Sequence, residues 1–296
     1  MAELLFPSFI RCPVCGASLL HEGASLVCEG GRRHTYDIAK EGYVNLLPPG
    51  RAKNARTGDD AEMIRAREKF LSGGGYDRYS REAAEFAAGF LNPVEGMPLV
   101  LLDAGAGDGR HTANMANTFS RVLGMPVEFA GFDASKHGVR VAAKRYVKNR
   151  EMVSDSVTPS YFAANIFELP VCDGCVDIFT SLFAPLPDDE ARRVLRQGGL
   201  LVICAAGPEH LVEMRRIMYD TPILSGGGAA VPDGFETVGE RMIEYKIMLS
   251  SNEEIMSLFT MTPFFYNAPA EGRERLSNTE SLEVSVQVKC TVAVKK

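Results

Sequence analysis

Three cysteines and a histidine lie close together near the start of the chain, in CPVCGASLLHEGASLVCEGGRRH. Cys12 and Cys15 form a C-x2-C pair, twelve residues separate Cys15 from Cys28, and five residues separate Cys28 from His34. Two thiolates at this spacing can bind one ion, and a second pair of ligands completes the tetrahedron that zinc prefers. Because four protein ligands leave no open position, we predict one structural Zn²⁺ rather than a catalytic one.

Other interpretations of this cluster stay open from the spacing alone. The cysteines could be unrelated buried thiols beside a surface histidine, and His21, between the two pairs, is a spare candidate ligand. A segment of this size buries little apolar surface, so a metal can replace a core. Cys172 and Cys175 form a second C-x2-C that has no partner pair nearby, and we predict an ordinary turn there.

A glycine-rich stretch, LLDAGAGDG, is the second candidate site. Asp103 ends an apolar run and is followed by Gly105, Gly107 and Gly109, whereas a dinucleotide-binding turn would need a glycine where Arg110 stands. The D-x-G-x-G-x-G pattern suits S-adenosylmethionine (SAM), because an acidic residue favours its ammonium and sulfonium charges and glycines let the backbone approach the ligand. Asp103 could also be a plain strand-end carboxylate.

The elements around this turn predict a doubly wound α/β sheet. A second strand ends at Asp133, whose carboxylate can accept hydrogen bonds from two ribose hydroxyls unless it is only a helix-start residue. Ser135 is then predicted to cap a basic helix, and a third strand ends at Ala164 and Asn165, where an adenine ring could be met. Later strands are predicted at CVDIFTSL, GGLLVICAA, RMIEYKIML and LEVSVQVKCTVAV.

Several aromatic residues flank these strands. Tyr76 and Tyr79 precede the first strand, and His210 lies in a turn after the fifth. Spacing alone leaves each of them open between a site role and simple packing. His111 and His137 are expected on helix surfaces, with no role assigned.

Length and composition limit the class of protein. The 296 residues allow one large domain and a small one, and the seven cysteines are expected to be thiols or metal ligands rather than disulfides. No apolar run approaches the length of a membrane span, and the N-terminus does not resemble a signal peptide, so we expect a cytoplasmic protein with no membrane partner. A net charge of −6 does not exclude nucleic acid, since a local basic patch can bind phosphates.

The sequence resembles the RlmA family of 23S rRNA (guanine-N1)-methyltransferases over nearly its whole length. The most specific stretches are CPVCGASL, HTYDIAKEGYVNLL, GDDAEMIRAREKFL, LLDAGAGDG, GPEHLVEMRRIMY and MTPFFYNAPAEGRERL. The resemblance implies zinc ligands at Cys12, Cys15, Cys28 and His34. It also implies SAM contacts at Tyr76, Gly107, Asp108 and His210, with Asp103 and Gly105 in the same turn.

The fold that this resemblance implies is a Rossmann-like, class I SAM-dependent methyltransferase domain with a small N-terminal zinc-binding domain. We expect a zinc module for rRNA recognition at residues 1–46, a basic linker and helix at 47–75, and the methyltransferase domain at 76–296. The basic segment carries Arg51, Lys53, Arg56, Arg65, Arg67 and Lys69. These side chains suit phosphate contacts, although a solvated helix face of mixed charge is the alternative.

The expected activity is methylation of guanine N1 in a hairpin of 23S rRNA, by a protein that could form a homodimer. Phe183, Ala184 and Pro185 stand where methyltransferases of exocyclic amines carry Asn or Asp before Pro-Pro-aromatic. We assign no catalytic base. Two rival hypotheses are a small-molecule methyltransferase with a merely structural zinc and a non-catalytic ribosome-binding zinc protein. Departures from the family are the wide gap between Cys28 and His34, the absence of tryptophan and the FAPLP loop.

Overall fold

The N-terminal segment forms a small antiparallel sheet. The structure is a computed structural model and describes residues 6–48, 60–221 and 230–296. Strands β1 (Leu19–Glu22), β2 (Ser25–Cys28) and β3 (Thr35–Asp37) pair in that order, with a tight turn at Gly23, whose φ is +64°. β1 and β3 are mostly exposed to solvent. The segment therefore has little core of its own, as expected for a module that a metal stabilises.

The apolar runs of the rest of the chain form a second, larger sheet. Its strands are β4 (Val44–Asn45), β5 (Leu99–Ala104), β6 (Val127–Asp133), β7 (Val157–Ala163), β8 (Val176–Leu182), β9 (Leu195–Ala206), β10 (Phe235–Leu249) and β11 (Leu282–Lys295). Within the described ranges these eight strands have the order β10-β11-β9-β8-β5-β6-β7-β4. The strands from β4 to β9 are mutually parallel, and β10 and β11 are antiparallel additions. The predicted α/β fold class and the predicted strands are confirmed.

Helices cover the larger sheet. They are α1 (Ala61–Ser72), α2 (Asp77–Ala88), α3 (Arg110–Leu123), α4 (Lys136–Ala142), α5 (Asp188–Val194), α6 (Val212–Met218), α7 (Asn252–Thr260), α8 (Phe264–Asn267) and α9 (Ala270–Ser277), and a π-helical segment, Ala143–Lys148, continues α4. Ser135 caps α4 by accepting a hydrogen bond from the backbone N–H of Gly138, which confirms the predicted cap. No helix in the part of the chain that the structure describes is long and apolar enough to cross a bilayer.

The parallel strands bring the candidate residues to one edge of the sheet. β5, β6 and β7 are neighbours and end at residues 104, 133 and 163, while β8 and β9 end at residues 182 and 206. The five loops that follow these strands therefore lie side by side. In an open parallel sheet this edge is where ligands bind.

The zinc-binding segment is attached to this sheet at several points. Val44 and Asn45 of β4 pair in parallel with β7, so the end of the segment supplies an outer strand. The carboxylate of Glu41 accepts a hydrogen bond from Arg140 of α4 at 3.0 Å, and Ile10 bridges to Val171. The division into modules after residue 46 stays a prediction, but the strand contributed by residues 44–45 belongs to the larger sheet.

Helix α1 is more than a linker. Its Met63, Ile64, Phe70 and Leu71 are buried against the larger unit. Among the predicted basic side chains, Arg65 is exposed, Lys69 pairs with Glu253, and Arg67 is only partly exposed. Arg51, Lys53 and Arg56 lie outside the described residues.

Candidate functional site

The four predicted metal ligands converge. The Sγ atoms of Cys12, Cys15 and Cys28 and a ring nitrogen of His34 all lie within 4.8 Å of one another. Cys15 Sγ is 3.3 Å from Cys28 Sγ, and Nδ1 of His34 is 3.4 Å from Cys12 Sγ. Three thiols and one imidazole at these separations fit a four-coordinate structural zinc site. The five residues between Cys28 and His34 do not prevent both side chains from reaching the cluster.

Hydrogen-bonding groups lie close to the sulfurs of Cys12 and Cys28. The Tyr36 hydroxyl lies 3.1 Å from Cys12 Sγ, and the backbone N–H of Gly30 donates to Cys28 Sγ at 3.2 Å. Burial acts to raise the pKa of the Cys12 thiol, but hydrogen bonds from Tyr36 and the backbone outweigh burial and bring that pKa to about 7. His21, the spare candidate ligand, is exposed and places its ring 5.4 Å from that of Phe6. Cys172 and Cys175 flank a turn, as predicted.

Asp103 supports the glycine turn from beneath. Its side chain is buried, and its two carboxylate oxygens accept hydrogen bonds from the hydroxyls of Thr112 and, at 2.6 Å, Thr180. Burial raises the pKa of Asp103 to about 6, while the two hydroxyls oppose that rise. Because Asp103 is buried, unlike the half-buried Asp133, and both of its oxygens already have protein partners, the structure indicates a role in holding the turn, and direct contact with SAM stays a prediction.

Two features require glycine at positions 105 and 107 of the turn: a positive φ and a lack of space for a Cβ atom. Gly105 and Gly107 have φ of +88° and +56°, in the region where side chains are strained. A Cβ on Gly105 would lie 2.5 Å from the Cβ of Ala184, and one on Gly107 would lie 3.0 Å from a guanidinium nitrogen of Arg67. The turn is therefore closely packed between the β8 loop and helix α1.

Asp108 presents a buried oxygen to this turn. Among the described residues its Oδ2 has no hydrogen-bond partner, whereas Oδ1 accepts a long bond from the backbone N–H of Arg110. Burial raises the pKa of Asp108, and the positive charge of Arg67 opposes that rise. A buried carboxylate oxygen that lacks a partner is unfavourable unless a ligand satisfies it. The ammonium group of SAM is a donor that fits this requirement.

Asp133 and Asn165 lie at the ends of the two neighbouring strands. The carboxylate of Asp133 accepts hydrogen bonds from the backbone N–H of Gly107 at 2.9 Å and of Ser135 at 2.6 Å. Asn165 uses its side-chain oxygen to accept from the N–H of Phe167 at 3.1 Å. Asp133 thereby joins the glycine turn to the start of α4, next to the place where a ribose is expected.

Tyr76 and His210 meet in a buried pair. The Tyr76 hydroxyl lies 3.3 Å from Nε2 of His210, and Nδ1 of His210 accepts from the backbone N–H of Gln287 at 3.2 Å. This arrangement assigns the histidine proton to Nε2. Burial, assisted by the charge of Arg215, lowers the pKa of His210 to about 4, so the ring is neutral near pH 7.

The positions of His111 and Phe183 in this region could not be predicted from the sequence. His111 is not on the helix surface as expected, because the first turn of α3 lies beneath α2 and brings the His111 ring within 4.7 Å of the Tyr79 ring. Its Nδ1 is buried with no partner among the described residues, and burial lowers its pKa to about 3. His137 is exposed, as expected. Phe183, from the FAPLP loop, lies beside Tyr79 and His210 and is 43% exposed.

An ion pair fixes the helix that carries the tyrosines. Arg110 donates from Nε and Nη2 to the two oxygens of Asp77, at 2.6 and 2.7 Å. Arg110 is the residue that replaces the third glycine of a dinucleotide-binding turn, and here it ties the start of α3 to the start of α2. The aromatic residues at the start of α2 are therefore held against the glycine turn.

Comparison with known protein families gives two matches, one at each end of the region that contains both candidate sites. The model described as "RlmA, N-terminal", a zinc ribbon, matches residues 10–56, and a model of a methyltransferase domain matches residues 98–256. The second match covers the glycine turn and the five parallel strands that follow the zinc segment. The protein is thus a SAM-dependent methyltransferase with a structural zinc ribbon.

Three curated proteins are similar along most of their length. "Putative 23S rRNA (guanine-N(1)-)-methyltransferase" from Micromonospora griseorubida is 35% identical over 86% of this chain and 85% of its own. "23S rRNA (guanine(748)-N(1))-methyltransferase" from Streptomyces fradiae is 33% identical over 70% of this chain and 66% of its own. YxjB from Bacillus subtilis, curated under the same name as the first, is 27% identical over 97% and 98%. The chain therefore belongs to the RlmA family of 23S rRNA (guanine-N1)-methyltransferases.

Proposed function

We propose that this protein transfers a methyl group from SAM to N1 of a guanine in 23S rRNA. The observation that carries the proposal is the attachment of a Cys3His ribbon, through β4 and Glu41, to the sheet edge that holds the glycine turn. A ribbon held beside a methyl-transfer site can bind an RNA molecule while one base of that RNA enters the site. The relatives that are similar over most of this chain are named for this reaction.

The proposed SAM site consists of residues from four loops and the start of α2. They are Tyr76, Asp103, Gly105, Gly107, Asp108, Asp133, Asn165 and His210. Bound SAM supplies an electrophilic methyl group. The unpartnered oxygen of Asp108 is proposed to accept from the ammonium group, and Asp133 from the ribose hydroxyls. The main contribution of the protein is to hold the guanine nitrogen in line with that methyl group.

The ribbon is proposed to recognise an RNA hairpin. Arg32 and Lys40 on the ribbon and Arg65 on α1 are exposed and suit contacts with phosphates. A guanine within folded RNA must leave its stack to reach SAM, at a cost of a few kcal/mol. Binding of the ribbon to the same RNA supplies free energy that compensates for that cost. We further propose that the chain divides into a zinc module at residues 1–46, a basic linker and helix at 47–75 and the methyltransferase domain at 76–296. We also propose a homodimer in which two ribbons form a cleft for the hairpin. The protein is proposed to act in the cytoplasm.

The test is methyl transfer to unmodified 23S rRNA. The purified protein is incubated with labelled SAM and the rRNA, and the labelled base is mapped by digestion and mass spectrometry. One methyl group on guanine N1 in a single hairpin is the expected result, with Asp108→Asn as the matched variant of reduced activity. No transfer to rRNA, despite tight binding of SAM, would contradict the proposal and favour a small-molecule substrate.

A further inference from the structure

We propose that Phe183 is the stacking surface on which the target guanine is held beside SAM. This inference rests on the proposed function and names a contact of the substrate base within the same site. Phe183 is the first residue after β8, at the edge of the sheet where the carboxyl ends of the parallel strands lie. Phenylalanine offers a base no hydrogen bond. It offers a flat apolar face instead.

The backbone of Phe183 is held in a conformation that phenylalanine rarely adopts. Its φ is +54°, in the left-handed region that favours glycine. Two hydrogen bonds hold the turn: the N–H of Phe183 donates to the carbonyl of Cys204 at 2.8 Å, and Ser181 Oγ donates to the carbonyl of Ala184 at 3.0 Å. The adjacent strand β9 therefore enforces the strain, and strained backbones of this kind are concentrated at functional sites.

This backbone conformation leaves the ring both supported and open. The ring centroid lies 5.4 Å from that of Tyr79, nearly perpendicular to it, and 5.4 Å from that of His210. These neighbours fix the ring, yet 43% of the residue stays exposed. A phenylalanine that served packing alone would gain from complete burial. Here the fold holds an apolar ring in place and leaves part of its surface uncovered.

The position of the ring favours a nucleobase as the occupant. Ala184, the next residue, packs against Gly105 so closely that a Cβ on Gly105 would clash with it. The ring is thus one residue away from a contact with the glycine turn, where SAM is expected. A purine that has left its helix loses stacking on both faces, and an aromatic side chain restores part of it. The alternative role for an apolar ring at this position is to line the pocket for the methionine part of SAM.

The experiment compares three substitutions at this position. Phe183→Leu keeps the apolar character and removes the aromatic face, and Phe183→Tyr keeps the aromatic face. Phe183→Asn removes the ring but tolerates the left-handed backbone, so it separates loss of the ring from disturbance of the turn. Phe90→Leu, the same chemical change at a half-buried phenylalanine two residues beyond the end of α2, is the matched control. Each variant is measured for SAM affinity by calorimetry and for the single-turnover rate of methyl transfer to 23S rRNA.

We expect the Leu and Asn variants to transfer methyl groups about 10- to 100-fold more slowly, in line with the loss of one base–aromatic stack. Their SAM affinity should stay within about twofold of wild type, and the Tyr variant and Phe90→Leu should keep the wild-type rate. An unchanged rate in Phe183→Leu would overturn the inference, as would a loss of SAM affinity that matches the loss of rate. A wild-type protein that transfers nothing to rRNA would overturn the proposed function first, and this assignment with it.

Discussion

The hydroxyl oxygen of Tyr76 lies 3.3 Å from Nε2 of His210, although the two residues are 134 positions apart in the sequence. Tyr76 comes just before α2, and His210 lies in the loop after β9. The pair therefore connects a helix that precedes the sheet to the carboxyl end of a strand within it. Because Nε2 carries the proton in the neutral ring, the tyrosine hydroxyl accepts from histidine and keeps its own proton for a ligand.

Replacement of Tyr76 by phenylalanine tests this pair. The Nε2–H of His210 would lose its acceptor, which should lower the free energy of unfolding by about 1–3 kcal/mol. If the tyrosine hydroxyl also contacts SAM, the affinity for SAM should fall about tenfold. Tyr219→Phe, at a half-buried tyrosine outside the site, is the control, with calorimetric titration of SAM as the measurement. Equal SAM affinity in the two variants would exclude Tyr76 as a contact.

Replacement of Gly107 by alanine separates backbone strain from a role in binding. Gly124 is the matched position, because its φ is +66° against +56° for Gly107 and a Cβ there would meet nothing within 4 Å. Alanine at either position should lower the free energy of unfolding by about 1–2 kcal/mol. Only Gly107→Ala, which also displaces Arg67, should weaken SAM binding, by about tenfold or more. Similar SAM affinities in both variants would place Gly107 outside the SAM site.

The buried histidine of the pair predicts a pH dependence of stability. The pKa of His210 is lowered to about 4 from its ordinary value of about 6.5, so its contribution is fully present above pH 6.5 and is lost as the pH falls towards 4. His210→Asn cannot be protonated in this range, and its side-chain oxygen can still accept from Gln287. Between pH 7.5 and 4.5 the wild type should lose about 2–3 kcal/mol more of its free energy of unfolding than the variant. Urea unfolding at both pH values measures this difference, and parallel losses would contradict it.

Removal of one zinc ligand should separate RNA methylation from SAM binding. Cys28→Ser should abolish the single bound zinc, as measured by mass spectrometry of the metal, because a three-ligand site binds it much more weakly. Methyl transfer to rRNA should be lost, while SAM binding is retained. Cys172→Ser, at a half-buried cysteine outside the cluster, should keep both the zinc and the transfer. Full zinc content in Cys28→Ser would contradict the ligand assignment.

The parts of the site that depend on local sequence could be predicted. The C-x2-C pair, the cap at Ser135 and the D-x-G-x-G-x-G turn each follow from residues within a few positions of one another. Their conformations are set by local geometry, since only glycine adopts the positive φ of Gly105 at no cost. The order of the parallel strands then placed Asp133 and Asn165 at the same edge.

The parts that depend on distant contacts could not be predicted. His111 has the sequence context of a helix surface, and only the packing of α2 over α3 buries it. Arg67 belongs to a run of charges that is typical of a solvated face, but the fold of α1 places it beside Gly107. The left-handed backbone of Phe183 has no local signal at all, because the carbonyl that fixes it comes from Cys204 on another strand.

The two-residue strand β4 determines how the ribbon can be exchanged or deleted. Val44 and Asn45 pair with Phe162 and Ala163 at the carboxyl end of β7, so a truncation that removes them leaves this end of the strand as an open edge. Open edges of this kind promote self-association between molecules. Truncated proteins should therefore begin upstream of residue 44, and a ribbon transplanted from a relative has to bring its own copy of this strand. The zinc ribbon and the methyltransferase domain are joined by shared backbone pairing, so neither can be replaced at this strand without regard to the other.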